Sequence, residues 1–288
     1  MIDKNQVNRN FSRQAKQYDR FANVQKKMAE NLMKQLPLQE NIRNILEIGC
    51  GTGYLTERLL ERYPEARITA IDIAEGMIAF MRNRFLGEGR LLLLCEDVER
   101  FVPLHEEGYD LIVSNAAFQW LIQPAETMKQ LAEYLSVDGE MHFTTSGSRT
   151  FLEFHKSHMM AAGQLGKCVE QTRPGPEFAT LSDWRMYCAE AELSVSFQTE
   201  DMVEFFPTAR DFLHSVKNVG AGNTERKSGA GLMRRLLKIY DKDYFTHCGV
   251  PATYEVFQAA CYTQKKVGTL TPFNKVDNMN DIQSVRVL

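Results

Sequence analysis

The residues with the clearest chemical promise form one short run, Glu47-Ile48-Gly49-Cys50-Gly51-Thr52-Gly53. Glycines at alternate positions let a backbone turn sharply and approach a ligand, and the free N–H groups at the start of a helix favour an anionic group. Asp72 ends the next apolar run, 19 residues after Gly53. A carboxylate placed there can accept two hydrogen bonds from a ribose diol. Both features fall where doubly wound sheets bind their ligands, so the spacing predicts nucleoside recognition. A dinucleotide fingerprint G-x-G-x-x-G would need its third glycine at position 54, which is Tyr54. The run reads instead as E-x-G-x-G-x-G.

These residues need a parallel sheet to hold them. Between Asn44 and Ser146, short β-branched or Leu-rich runs alternate with helical patterns, as in a sheet flanked by helices. The predicted strands are Ile45–Ile48, Ile68–Asp72, Leu91–Cys95, Tyr109–Ser114 and Glu140–Thr145, with Asp138-Gly139 closing the helix before the fifth. Beyond Ser146 the pattern predicts helices over Phe151–Ala162 and Leu181–Ala191, and a strand carrying Leu193, Val195 and Phe197. A mainly helical stretch from Thr208 to Tyr244 and a last strand, Tyr254–Tyr262, follow. The expected architecture is α/β, a mostly parallel seven-stranded sheet with helices on both faces and a helical cap. Residues 1–36 form an amino-terminal cap segment, and 37–266 the main domain with cap insertions near 147–176 and 208–247. Residues 267–288 carry little periodicity and read as a mobile tail.

Composition narrows the function. Lys and Arg number 34 against 37 Asp and Glu, a net charge of −3, which gives no bulk electrostatic reason to coat nucleic acid. The longest aliphatic run, Leu91 to Leu94, is far short of the ~20 apolar residues of a membrane span, and Met1–Asn10 has no apolar signal core. A cytoplasmic protein with no membrane partner is expected. Six cysteines without C-x-x-C spacing read as reduced, mostly buried thiols. His155 and His158 lie three apart on a predicted helix, but nothing completes a ligand set, so no metal is expected.

The glycine run resembles motif I of the class I S-adenosylmethionine-dependent methyltransferases, whose fold is Rossmann-like. Asp97 stands just after the third strand, where that superfamily places an acceptor for the adenine amino group, and Ser114-Asn115-Ala116-Ala117 occupies its motif IV position. The resemblance implies S-adenosylmethionine as cofactor. It would be bound by Glu47, Gly49, Cys50, Gly51 and Gly53 from the first loop, by Asp72, Ile73 and Met77 from the second, and by Asp97, Val98, Asn115 and Ala116 beyond.

More specific segments lie elsewhere. Val7-Asn8-Arg9-Asn10-Phe11-Ser12-Arg13-Gln14-Ala15-Lys16-Gln17-Tyr18-Asp19 is similar to the amino terminus of the malonyl-carrier-protein O-methyltransferases of biotin synthesis. So are Ser114 to Leu121, Phe212 to Ala221 and Pro251 to Val256. That resemblance implies methylation of the free carboxylate of a malonyl thioester, on acyl carrier protein or coenzyme A, to start pimeloyl assembly. A carboxylate is ionised near neutral pH and attacks a sulfonium methyl without a general base. Tyr18, Gln119 and Trp120 are positioning candidates for the acceptor, and Lys217 a candidate partner for its carboxylate.

Charge distribution offers a surface for the carrier. Residues 1–35 and 210–242 each hold eight Lys/Arg against three acidic residues, so these segments total +10 and the remainder −13. Arg234, Arg235 and Lys238 should project from one side of a helix whose other side is Leu232, Leu236, Ile239 and Tyr240. A small carboxylic acid or a quinone-type ring carbon is the alternative acceptor, and a non-catalytic S-adenosylmethionine-binding protein the alternative class. Nothing in the sequence speaks to oligomeric state.

Overall fold

The computed structural model describes residues 2–38, 41–103, 107–172, 174–221, 229–263 and 284–287. Five strands, β1 (Asn44–Ile48), β2 (Arg67–Asp72), β3 (Leu91–Cys95), β4 (Tyr109–Asn115) and β5 (Leu135–Ser146), pair in parallel in the order 3-2-1-4-5. Alternation along each strand sends side chains to opposite faces. Ile45, Ile68, Leu111 and Val113 meet Leu32 of α2 (Asn23–Gln35), Leu55 and Leu59 of α3 (Tyr54–Arg62) and Ile78 and Met81 of α4 (Glu75–Arg84). Leu46, Ile48, Ile71 and Ile112 meet Met128 and Leu131 of α5 (Pro124–Glu133) and Trp184 and Cys188 of α8 (Leu181–Glu190). The order reverses between β1 and β4, which opens a crevice at their carboxyl ends.

The fifth strand begins earlier than its sequence pattern indicates. Its ladder with β4 passes from Tyr109↔Leu135 directly to Leu111↔Glu140. Gly139 sits in that irregularity, where a Cβ would come within 2.6 Å of the Tyr109 carbonyl oxygen. Asp138-Gly139 is thus a bulge inside a strand, where two chains pass too closely for a side chain, rather than a helix end.

β6 (Leu193–Phe206) and β7 (Val250–Thr263) complete the sheet, β7 lying antiparallel between β5 and β6. β5 pairs with β7 only as far as Val256, whereas the β6–β7 ladder continues to Phe206↔Val250. Six residues of each strand therefore continue past the end of β5 as a ribbon of roughly 20 Å. On it rest α6 (Leu152–Gln164), α9 (Ala209–Asn218) and α10 (Ala230–Tyr244), whose Phe154, Phe212, Leu232, Leu236 and Tyr240 close over Val250, Ala252 and Tyr254. The single turn α7 (Val169–Thr172) follows α6, and α1 (Lys4–Gln14) lies across the crevice from the sheet side.

On α10, Leu232, Leu236 and Tyr240 are buried while Arg234, Arg235 and Lys238 are exposed, so the helix separates into an apolar and a basic face. The seven strands are joined by β8 (Ser284–Val287), parallel to β6 at the edge. It is the one described element of the expected tail 267–288; the remainder lies outside the described residues. Cys50, Cys188 and Cys261 are buried but Cys95, Cys168 and Cys248 are exposed, fewer buried thiols than the composition suggested. Among the described residues no helix is long and apolar enough to cross a membrane.

Tyr240 anchors the cap to the ribbon, its hydroxyl donating to the Pro251 carbonyl at 2.6 Å from a fully buried ring. Tyr240→Phe leaves that carbonyl unpaired and should lower the unfolding free energy by about 1–2 kcal/mol. Urea unfolding checks it, and an unchanged midpoint would show that the bond adds nothing.

Candidate active site

β1 ends at Ile48 and the chain turns through three glycines, Gly49, Gly51 and Gly53, at φ +71°, +54° and +86°. These are left-handed conformations, strained for residues with a Cβ. Each glycine has a different second reason. A Cβ on Gly49 would collide with the Ala117 side chain and one on Gly53 with Met81, while Gly51 faces open space. The turn is fastened to β2, with Gly49 and Cys50 N–H donating to the Ile71 carbonyl at 2.8 and 3.2 Å. Asp72 spans two loops, its carboxylate accepting from Gly51 N–H at 2.9 Å and from Ala74 N–H at 2.7 Å.

The charges here favour a cation. Asp72 is held above the usual carboxylate range by burial, against the pull of the Ala74 and Gly51 N–H groups. Glu47 is pushed up to about 8 by burial and by the Asp72 charge, although the Thr56 hydroxyl donates to it at 2.6 Å. Tyr18 is pushed up by burial and then by Asp72 and Asp19, so its phenol stays a donor. Burial, then the Asp72 and Glu47 carboxyl groups, raise the Cys50 thiol, which leaves it no nucleophile. Glu47, Asp19 and Asn115 line a small hollow behind the glycine loop. A pyrophosphate would be repelled by the Asp72 and Asp19 carboxylates; a sulfonium with an ammonium group would be attracted.

Of the expected cofactor residues, Gly49, Gly51, Asp72, Ile73 and Met77 line one cleft, together with Asp97, Val98, Asn115 and Ala116. Glu47 and Cys50 line the adjoining hollow. Gly53 lines neither and instead lets α3 start against α4. Ala116 adopts φ +52°, its N–H held by Thr144. That is unusual for an alanine. Asn115 donates to the Gln25 carbonyl at 3.0 Å and accepts from the Thr144 hydroxyl at 2.7 Å.

The cleft has a wall that motif reading missed. α1 contributes Lys4, Val7 and Phe11, one helical face at i, i+3 and i+7. Lys4 Nζ meets Asp97 at 2.7 Å and Glu99 at 2.6 Å, Ser12 accepts from Gly76 N–H at 3.0 Å, and Asp19 accepts from Thr52 at 2.7 Å. The apolar spacing of α1 was the available signal.

A second cavity, of about 450 Å³, adjoins the cleft at Trp120, the residue common to both. Trp120 stands edge-on to Phe11 and Phe178, with ring centroids 5.9 and 6.0 Å away. Gln119 lines this cavity, its amide donating to the Ala116 carbonyl at 2.7 Å. Tyr18 lines the cleft rather than the cavity, and Lys217 lines the cavity from an exposed position. Arg234 and Arg235 line neither; they follow Met233, which does, and Arg235 donates to Gln164 at 2.8 Å. His155 lines the cavity and His158 pairs with Thr172 at 3.1 Å, so the two do not converge.

Comparison with known proteins follows from this geometry. A family model described as methyltransferase domain matches residues 45–139. A malonyl-[acyl-carrier protein] O-methyltransferase of Acetivibrio thermocellus is 42% identical, with 88% of this chain and 92% of the relative covered. One of Anoxybacillus flavithermus is 46% identical, covering 78% and 83%. Among solved structures, the YcgJ protein of Bacillus subtilis superposes with a TM-score of 0.56 at 13% identity, covering 82% of this chain and 98% of that one. The [4+2]-cyclase SpnF does so with 0.52 at 12%, covering 83% and 80%. The two structures establish likeness of fold.

Two outcomes test the glycine loop and its acids. Gly49→Ala should destabilise the protein by about 1–2 kcal/mol from φ alone, more with the Ala117 collision, and abolish calorimetric binding of S-adenosylhomocysteine; retained binding would show the loop tolerates a side chain. Glu47 binds a proton in the folded protein up to about pH 8 but only near 4.5 when unfolded. Its contribution to stability is therefore full below about 4.5 and is lost as pH rises to about 8. Without ligand, Glu47→Gln should melt increasingly above the parent as pH rises from 5 to 8; a pH-independent difference would contradict this.

Proposed function

The chain belongs to the malonyl-[acyl-carrier protein] O-methyltransferases, and from that premise we propose that it methylates the free carboxylate of a malonyl thioester borne by acyl carrier protein. The observation that supports this best is the sign of the second cavity. No carboxylate lines it among the described residues, while Arg13 and Lys217 do. An anionic acceptor is welcome there, and an ionised carboxylate requires no general base.

S-adenosylmethionine, the cofactor, supplies when bound a methyl group already activated on a sulfonium. The residues around its site fit it: Asp72 has lone pairs left for a ribose diol, Asp97 stands at the adenine end, and Asp19 faces the cationic end. What remains for the chain is positioning and exclusion of water. α1 covers the cleft, Trp120 separates the two compartments, and Tyr18 stays protonated as a donor beside Asp72. The new bond joins a carboxylate oxygen to the methyl carbon, and the electron pair of the broken S–C bond stays on sulfur. No proton is transferred, consistent with the neutral thiol of Cys50.

The exposed basic face of α10 adjoins the cavity through Met233 and offers Arg234, Arg235 and Lys238 to an acidic carrier. Labelled S-adenosylmethionine and malonyl-acyl carrier protein should yield a base-labile methyl ester, and acetyl-acyl carrier protein none. No transfer to the malonyl carrier or to malonyl-coenzyme A would overturn the proposal. Arg234→Glu with Arg235→Glu should lower kcat/KM for malonyl-acyl carrier protein at least ten-fold relative to malonyl-pantetheine; equal losses would exclude docking on this face.

A further inference from the structure

The first residue of α1 has the wrong charge for its place. Helix amino termini carry a partial positive charge and favour acids, yet the first turn of α1 holds no acid and begins with Lys4. Asp3 caps the helix by accepting from Asn5 and Gln6 N–H, so helix formation gives no reason for the lysine. A residue that breaks a local rule points to a demand made elsewhere, and here the partner is 93 residues away.

Lys4 Nζ lies between two carboxylates, 2.7 Å from Asp97 Oδ1 and 2.6 Å from Glu99 Oε2. The three side chains are only 19%, 21% and 10% exposed, so this is not one of the screened ion pairs of an open surface. The other oxygen of Glu99 is fixed as well, accepting from Ile122 and Gln123 N–H at 3.0 and 2.6 Å. Asp97 Oδ1 accepts a second time, from Glu99 N–H at 3.2 Å. Its Oδ2 has no hydrogen bond among the described residues. Asp97 and Lys4 both line the cofactor cleft. One oxygen of the acid is therefore tied down, and the other is left for a ligand.

Resting on the cofactor site proposed above, we infer that Lys4 is a positioning residue for base selectivity: it holds the Asp97 carboxylate with Oδ2 turned to the adenine amino group. The amino-terminal helix then sets which base the donor site accepts, acting through an acid that belongs to the sheet.

The chemistry of the base makes this a sharp choice. Adenine presents an amino donor at its six position, whereas hypoxanthine presents a carbonyl oxygen there. An ionised carboxylate only accepts, so a fixed Asp97 rewards the amino base and leaves the oxo base facing an acceptor. Without the ammonium, Asp97 would face Glu99 as a like charge. Glu99 is held by backbone N–H groups, so repulsion turns Asp97, the freer acid, and takes Oδ2 away from the base. Glu96 also lines the cleft, from an exposed position, and is the rival acceptor.

Calorimetric titration with S-adenosylhomocysteine and with S-inosylhomocysteine tests the assignment. The parent should bind the adenine compound at least about ten-fold more tightly, as a hydrogen bond to a charged acceptor implies. Lys4→Met should bring that ratio close to one, and Lys4→Arg should restore it, because a guanidinium can bridge the same two acids. In Asp97→Asn, whose amide both donates and accepts, the ratio should already be close to one and Lys4→Met should change it no further. If Lys4→Met weakens both compounds equally, the lysine only holds α1 over the cleft and the inference fails. It fails too if the parent is indifferent to the base, or if Asp97→Asn keeps full selectivity, which would give the base to Glu96. A parent that binds neither compound would instead count against the cofactor site itself.

Discussion

The carboxylate of Asp72 ties together the ends of two neighbouring strands. One of its oxygens takes the N–H of Gly51 after β1, the other the N–H of Ala74 after β2. The glycine loop, the start of α4 and the floor of the cleft are thereby held in one spacing. Burial makes this expensive and holds the acid above its usual range, and Glu47 and Asp19 crowd the same region. Such a cluster is poorly compensated by the protein alone, because no cation lines the hollow except Lys26. A cationic ligand completes it, which is why the site favours a sulfonium nucleoside over a dinucleotide sharing the same turn.

α1 makes the two compartments interdependent. Its face at Lys4, Val7 and Phe11 looks onto the cofactor cleft, and its neighbouring face at Gln6, Asn10 and Gln14 onto the acceptor cavity. A helix of 11 residues thus forms a partition between the cleft and the second cavity, completed by Phe11 against Trp120. Its placement depends on long-range contacts: Lys4 with Asp97, Ser12 with Gly76, and Gly220 pressed too closely on Phe11 to bear a side chain.

Legibility in the sequence followed the range of the interaction concerned. The five parallel strands, the turn at Gly49 to Gly53 and the acid at Asp72 are written in local patterns, and the two faces of α10 in a period of 3.6. Where the local pattern misled, a distant backbone was responsible: Gly139 is a glycine because Tyr109 passes beside it, and no window around Asp138-Gly139 contains that fact. The acceptor cavity was still harder to foresee, since its walls come from α1, the Trp120 turn, the cap helices and Tyr254. The role of Gly53 in packing against Met81, in place of touching a ligand, likewise needed the position of α4.

The sheet alone leaves the reaction open. A [4+2]-cyclase superposes on this chain with a TM-score of 0.52, so the chemistry resides in what is built on the fold. Here that is a separation of sign hidden by a net charge of −3. The donor side gathers Asp72 and Asp19, and the second cavity, lined by no carboxylate among the described residues, has the exposed cations Arg13 and Lys217 in its lining. On the function proposed above, each compartment is complementary to the charge its ligand brings, and methyl transfer cancels the sulfonium and carboxylate charges together. After the reaction the acids have lost one cation to attract, and the acceptor end has lost its anion. The electrostatic terms that assemble the reactants therefore weaken with their own success, which favours release of the ester over its retention.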